Sequence, residues 1–386
     1  MNKKTPLNHV LLLYNIRPIL LGAAILLFSA CLDRPKPTPQ VSHPPIKKPA
    51  PVKRDTIPRD SFCIAAVGDI MLGTSYPTKY TLPPDSAKGS FKNVITELRN
   101  ADVTFGNLEG TLLDGGAPAH YKLHLLSKGY LFRSPTTYAG VLKDAGFKVV
   151  SLANNHIGDF GEPGRVSTMT VLDSIGIHYG GQLSSPTSVF KISGVTYGFC
   201  AFAPNAYTLP ILELKNVTKI VKELKQQCDV VIISFHGGAE GPGFEHVPFK
   251  MESFHSEKRG DVHKFAHTAI DAGADVVFGN GPHVCRAMEL YNGRLIAYSL
   301  GNFCTYTSVS VAGVSGLAPI LKVNVNKKGE FLSGKIISAT QTHYDGLQLD
   351  TLCKAAIRIK KLTEADFPRS GLDITEDGQI SIAKEQ

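Results

Sequence analysis

From residue 62 onward, short runs of consecutive apolar residues alternate with stretches in which apolar positions recur every three or four residues. Short continuous runs bounded by glycine or polar residues read as buried strands, and the 3.6-residue period reads as amphipathic helix. Strands are predicted at 62–67, 103–105, 149–153, 230–235 and 276–278, and helices at 91–99, 135–146, 166–175, 215–227 and 262–272. Paired strands follow the turn signals: 189–192 with 197–202 across Ser193-Gly194, 288–291 with 295–299 across Asn292-Gly293, and 321–325 with 331–338 across Lys327-Lys328-Gly329. Strand–helix alternation followed by hairpins argues for an α/β layered domain with a mixed sheet. No linker interrupts 62–345, so one domain is expected over 61–345. Residues 346–386, a short helix and then a polar end, read as a peripheral C-terminal extension.

The first sixty residues have a different texture. Lys3 and Lys4 open the chain, Arg17 interrupts the apolar region, and 19–28 is uncharged and apolar before Ser29-Ala30-Cys31. A charged start, a short apolar core and small residues at the cut are the layout of an export signal, and the core is too short for an ordinary membrane span. Phe28-Ser29-Ala30-Cys31 resembles the lipobox of bacterial lipoproteins, which implies that Cys31 becomes a lipidated N-terminus after cleavage. Residues 32–60 carry eight prolines among lysines and arginines, so they are expected to be an extended, solvated linker rather than a core. The predicted product is an exported, membrane-anchored lipoprotein with 1–31 as its signal peptide.

Charge follows the same division. The chain is +8 in all, but residues 1–60 hold ten Lys/Arg against three Asp, which leaves the remainder near neutral at +1. A basic tether on a near-neutral domain suits anionic lipid or an anionic wall polymer and argues against nucleic acid as a partner. Apart from Cys31, the six cysteines have no CxxC spacing and mostly lie in apolar runs, so they read as buried thiols.

The polar residues capable of chemistry fall at repeated topological places. Asp69 follows the first strand, Asn107 and Glu109 the second, and Asn154, Asn155 and His156 the third. His236 ends the strand 230–235, and Asn280 and His283 follow the strand 276–278. In an open α/β sheet such positions collect at one edge, where ligands bind. Asp, Glu, Asn and His offer oxygen and nitrogen donors, which suit Zn, Mn, Mg or Fe rather than soft metals. Each residue alone has an ordinary explanation as a helix cap, a turn residue or a satisfied core histidine; five clusters at strand ends do not.

The runs Val67-Gly68-Asp69-Ile70-Met71-Leu72-Gly73, Asn107-Leu108-Glu109-Gly110, Ser151-Leu152-Ala153-Asn154-Asn155-His156, Gly281-Pro282-His283-Val284 and Tyr298-Ser299-Leu300-Gly301-Asn302-Phe303 resemble, in order, the motifs of the CapA-type poly-γ-glutamate capsule proteins, the PGA_cap family. That family resembles a branch of the calcineurin-like metallophosphoesterases, which implies a four-layer α/β/β/α sandwich with mixed sheets. By motif, the resemblance implies that Asp69 binds one divalent ion and that Glu109, with Asn107 the lesser candidate, bridges two. Asn155 and His236 would bind the second ion and His283 would close the first. His156 would face the substrate as general acid or transition-state stabiliser, oriented by Asp159. Apart from the resemblance, Arg133, Asn107, Asn280 and Glu240 are the candidates to contact substrate, with Glu240 placed to hold the His236 ring; Arg133 and Glu240 read equally well as surface ion pairs.

Two positions depart from the full metallophosphoesterase pattern: Met71 and Asn280 stand where histidines are usual. Occupancy by one ion, by two or by none is therefore left open, and two functions compete. One is metal-dependent hydrolysis or transfer on an anionic envelope polymer such as poly-γ-glutamate; the other is a polymer-binding or assembly protein that keeps the fold without a catalytic metal. His263 and His267 share a helix face four residues apart but have no acidic partner spaced with them in the sequence.

Overall fold

The computed structural model describes residues 61–125, 130–343 and 345–384. The expected signal segment 1–31 with its Cys31, and the linker 32–60, lie outside the described residues.

Two mixed sheets form the frame. The first contains β1 (Phe62–Met71), β2 (Val103–Leu108), β3 (Val149–Ser151) and β4 (His178–Gly180), all mutually parallel. The second contains β5 (Thr187–Ile192), β6 (Val195–Phe202), β7 (Val230–His236), β8 (Val276–Asn280), β9 (Met288–Tyr291) and β10 (Arg294–Ala297), in the order β9-β10-β8-β7-β6-β5. The chain then returns to the first sheet with β11 (Asn302–Thr305), β12 (Ile320–Val325) and β13 (Phe331–Ile337). β14 (Leu372–Ile374) and β15 (Gln379–Ile382) complete that sheet, in the order β14-β15-β13-β12-β1-β2-β3-β4, with β11 also parallel to β1.

Among the described residues, α1 (Ile95–Arg99), α2 (Tyr138–Ala145), α3 (Gly161–Ile175), α4 (Leu214–Lys225) and α5 (Val262–Asp271) cover the outer faces, and α6 (Lys354–Asp366) packs one side into the core between the sheets. Period-two alternation explains the layering. Ile64 and Ala66 on β1, Phe105 on β2 and Val149 on β3 face Phe199, Ile232 and Phe278 of the other sheet, with Phe105 stacked on Phe278 at 5.4 Å. The alternate residues Ala65, Val67 and Val150 pack against Leu98, Leu142 and Leu172 of the first helical layer. Val231, Ile233 and Val277 pack against Val217, Val221 and Phe265 of α4 and α5. Three cores between four layers make an α/β/β/α sandwich. Burial of both strand faces is why these strands read as continuous apolar runs rather than as alternations.

The structure differs from the sequence reading in three places. The helix expected at 91–99 begins only at Ile95; residues 91–94 wind as a single turn, with the Val94 N–H donating to Phe91 O at 3.0 Å. The residues alone suggested a mixed sheet, whereas the described residues build two large sheets, as the family resemblance implied, and three two-stranded ones. The segment after 345, expected to be peripheral, is built in: Ala355, Ala356 and Ile359 of α6 and Leu372, Ile374 and Ile380 of β14–β15 belong to the core between the sheets. Their apolar positions are sparse in sequence because each element buries only one face. The six described cysteines are unpaired thiols, four of them buried. Among the described residues no helix is long and apolar enough to cross a membrane.

Candidate functional site

Sheet register brings the strand ends together. Asp69 on β1 pairs with Asn107 on β2, which pairs with Ser151 on β3, three residues before Asn154; in the second sheet Asn280 on β8 pairs with His236 on β7. Close backbone approach makes this edge possible. A Cβ on Gly68 would lie 1.9 Å from Gly301 O, and the Asp69 N–H donates to that same oxygen at 2.9 Å, so only glycine lets the chains meet here. Gly281 at φ +111° and His283 at φ +58° turn the chain back after β8 and swing the His283 ring into the site.

A chain of amides links the two sheets. The Asn154 carbonyl oxygen accepts the backbone N–H groups of His156 (3.1 Å) and Ile157 (2.9 Å), so its amino group must donate, to Leu108 O at 2.9 Å and Asn107 Oδ1 at 3.2 Å. Asn107 Nδ2 is then the donor to Asp69 Oδ1 (2.8 Å) and to His236 Nδ1 (3.3 Å). Every polar atom of Asn107 is thereby committed inside the site. It ties Asp69 to His236 with both amino hydrogens, so it serves the frame of the site rather than standing free for substrate as the sequence reading expected. Because His236 Nδ1 accepts, its proton sits on Nε2. Burial, with Arg259 and the neighbouring imidazoles adding to it, holds His236 well below the ordinary histidine range.

His283 is fixed in the same way. Asn302 Nδ2 faces three carbonyls, of His283, Ser310 and Ser315, at 3.2–3.3 Å, so its Oδ1 accepts from His283 Nδ1 at 3.0 Å. Asp69 Oδ2 also lies 3.0 Å from that nitrogen, but the ring hydrogen points to Asn302, and Asp69 Oδ2 is left without a hydrogen bond. His283 Nε2 faces Glu109 Oε1 at 3.7 Å and Glu240 Oε2 at 4.0 Å. Burial opposes a charge on His283, but the carboxylates of Glu109, Asp69 and Glu240 outweigh it and raise its basicity. Burial likewise drives the Glu109 carboxyl up, against the pull of His283.

His156 is held by Asp159, whose Oδ2 lies 2.8 Å from its Nδ1, and by the Phe132 ring 4.1 Å away. Asp159 is fully buried, and it also accepts the Phe132 N–H at 2.8 Å and faces Lys122 Nζ at 2.9 Å. The free nitrogen of His156, Nε2, lies 4.0 Å from Glu109 Oε1. Among the described residues no hydrogen bond joins Asn155 Oδ1 to His236; the hydrogen-bond chain to His236 runs through the neighbouring Asn154 and Asn107.

Two expected substrate contacts go elsewhere. The Arg133 guanidinium bonds Ser75 Oγ (2.9 Å), Ser75 O (3.1 Å) and Gly116 O (2.6 Å) and lies over the Tyr76 and Phe160 rings, so three of its N–H groups and its π face serve local structure. Glu240 pairs with Arg259 at 2.9 Å and approaches His283 rather than the His236 ring. Met71, where a histidine is usual, is buried, with its sulfur accepting the Gly73 N–H at 3.2 Å. Asn280 Nδ2 donates to Ser234 Oγ at 3.1 Å, which leaves its oxygen unused. Sequence reasoning missed Asn302 and Lys122. Asn302 stood inside a quoted motif with no role assigned, and no spacing signal marks Lys122.

Asp69 Oδ2, Glu109 Oε1, Asn155 Oδ1, His236 Nε2 and Asn280 Oδ1 are all buried and without a hydrogen-bond partner among the described residues. Such orphans are rare singly, and five at one edge are the expected wiring of a site for a cation or a polar ligand. Asp69, Glu109 and His283 each place a ligand atom within 4.8 Å of the other two, so oxygen and imidazole donors for a divalent ion are in place.

The family model of the bacterial capsule synthesis protein PGA_cap matches residues 63–307. The chain is 30% identical over 270 residues to the PGA biosynthesis protein CapA of Bacillus subtilis (strain 168), covering 65% of this chain and 65% of that protein. It is 28% identical over 284 residues to the capsule biosynthesis protein CapA of Bacillus anthracis, covering 66% and 62%. The match thus spans less than two thirds of the length of these relatives. Among solved structures, the calcineurin-like phosphoesterase YfkN from Bacillus subtilis aligns over 73% of this chain and 91% of its own, at 13% identity and a TM-score of 0.43.

Proposed function

The chain belongs to the bacterial capsule synthesis protein PGA_cap family, and from that premise we propose that it processes or assembles an anionic envelope polymer of the poly-γ-glutamate kind. The reading includes a lipid anchor at Cys31 and a 32–60 tether that together hold the domain at the membrane. The site is read as a metal-dependent hydrolase or transferase centre, with Asp69, Glu109 and His283 as the principal ligands, Asn155 beside them, and His236 a ligand only where its Nε2 proton is given up. When bound, a divalent ion there supplies Lewis-acid polarisation of the scissile group.

The chain's own residues do the rest. His156 presents Nε2 to the reacting group and delivers a proton to the leaving atom, while Asp159 holds its other nitrogen and stabilises the imidazolium. Lys122 in turn fixes Asp159. Charge favours one ion over two. Asp69 and Glu109 are the carboxylates whose cationic neighbours are only the site's own histidines, His283 and His156, and two negative charges balance one divalent ion in a buried site. The observation that carries the reading is the set of orphaned donor atoms facing a histidine that a buried aspartate positions.

The test incubates the purified full chain with γ-linked glutamate polymer and Mn2+ or Zn2+ and follows polymer length. His156→Gln is expected to abolish turnover with bound metal unchanged, and Glu109→Gln to lose the metal as well. If wild type binds a stoichiometric ion yet leaves every polymer intact, the catalytic reading fails. The second reading, a polymer-binding protein without catalysis, draws on one observation: His283, raised in basicity between Asp69 and Glu109, offsets one of their two charges without an ion. Absence of metal binding would favour it.

A further inference from the structure

We propose that the chain carries a second divalent-cation site, separate from the strand-end cluster, formed by His263 and His267 of α5 and Glu289 of β9, and that it takes a zinc-class ion. Asp261 caps α5 by accepting the Lys264 N–H, and the helix buries Val262, Phe265, Ala266, Ala269 and Ile270. Histidines at 263 and 267 then stand one turn apart on its flank, where i and i+4 side chains meet. The acidic partner that sequence spacing did not supply comes from the sheet. Glu289 Oε2 lies 2.9 Å from His267 Nε2, and one ligand atom from each of the three residues lies within 4.8 Å of the other two.

The cluster is held in place before any ion arrives. The Tyr298 hydroxyl donates to Glu289 Oε2 at 2.8 Å and aims the carboxylate. The His267 ring is stacked on Tyr291 at 3.7 Å, and the His263 ring lies 4.0 Å from it and 4.7 Å from Phe249. Neither nitrogen of His263 hydrogen-bonds to any described residue, so a donor atom is free beside the paired His267 and Glu289. Burial, reinforced by His267, also keeps His263 below the ordinary histidine range, and the neutral imidazole is the form that ligates. Two imidazoles, one carboxylate and a water make the usual four-coordinate zinc set. The three residues are only partly buried, so solvent reaches the fourth position. On binding, the ion replaces the proton shared between His267 Nε2 and Glu289. It would tie the helical layer to the edge strand of the second sheet and, through Tyr298 stacked on Phe367 at 5.1 Å, to the segment following α6.

The test is made in the full chain carrying Asp69→Asn and His283→Ala, so that the strand-end cluster contributes nothing and its own failure cannot be confused with this one. After chelation, the protein is dialysed against Zn2+ alone, and bound zinc and thermal midpoint are measured. The expected result is one retained equivalent and a raised midpoint. In that background His263→Phe, which keeps the aromatic packing, and Glu289→Gln, which keeps the Tyr298 hydrogen bond, should each weaken zinc binding by about tenfold or more and remove the thermal gain. Absence of binding in the background protein overturns the proposal, as does binding that both variants leave unchanged.

Discussion

Asn107→Asp is the substitution that asks most directly what the strand-end cluster is for. Asn107 Nδ2 donates to Asp69 Oδ1 at 2.8 Å and to His236 Nδ1 at 3.3 Å, so the amide spans the two sheets as a neutral strut. A carboxylate in its place loses a buried hydrogen bond, worth about 1 kcal/mol, and sets a second negative charge against Asp69. At 2.8 Å and an effective dielectric constant of about 20, that repulsion is about 6 kcal/mol. Protonating one carboxyl instead costs about 5 kcal/mol at a pH of about 7.5, which caps the loss. In chelator, therefore, the full chain should lose several kcal/mol. With Mn2+ or Zn2+ most of that should return, because a cation converts the repulsion into shared ligation. The new carboxylate can also accept from His236 Nδ1, which frees Nε2 as a ligand. Urea denaturation in chelator and in metal, with Asn107→Ala as the neutral control, reads both numbers. Equal destabilisation with and without metal would mean that no cation enters, and the metal reading of the site would fall. No destabilisation in chelator would refute the Asn107–Asp69 contact itself.

Three further outcomes are expected, two from the structure and one from the sequence. Arg286 is fully buried and bonds both oxygens of Glu252, at 2.9 and 2.7 Å, so Arg286→Met should cost about 3–5 kcal/mol in urea unfolding by stranding that carboxylate, and Arg286→Met with Glu252→Leu should recover much of it. His178 lies flat on Phe190 at 4.3 Å, and burial, aided by Lys143, lowers its pKa from 6.5. The unfolded chain then takes up a proton that the folded one refuses, so stability falls as pH drops through that value; His178→Phe should flatten the pH dependence of the thermal midpoint, and parallel curves would refute the assignment. Cys31→Ala should abolish incorporation of a fatty-acid analogue in cells, and unchanged labelling would remove the lipid anchor.

Much of the architecture was legible because both faces of the central strands are buried. β1, β2, β7 and β8 stand out as apolar runs, and polar residues that interrupt apolar strands at their carboxyl ends announce an edge site. What was hidden is the pairing of strands distant in sequence. Leu372–Ile374 and Gln379–Ile382 look like a polar tail because only alternate residues turn inward, yet Ile380 completes the core between the sheets. The number of sheets was hidden for the same reason: a parallel strand does not declare in its own residues which neighbour it takes.

The site shows the same limit at the level of single atoms. Residue type and topological place were enough to bring Asp69, Glu109, His156, His236 and His283 to one edge, since a strand end fixes a Cα to within a few ångströms. They could not say where a proton sits, because that depends on chains of hydrogen bonds. The backbone N–H groups of His156 and Ile157 orient Asn154, Asn154 orients Asn107, and Asn107 places the His236 proton on Nε2. Asn302 settles Nδ1 of His283 through three carbonyls contributed by other segments. Arg133 shows a related limit: its charge suggested an anion partner or a surface ion pair, while Ser75, Gly116 and two aromatic rings take up most of the guanidinium. A neutral amide between Asp69 and His236 is thus the feature that separates this centre from one with a carboxylate at that point. It lowers the site's negative charge by one and, on the metal-dependent reading proposed above, removes one reason to recruit a second cation and makes residue 107 the position that would set occupancy by one ion or by two.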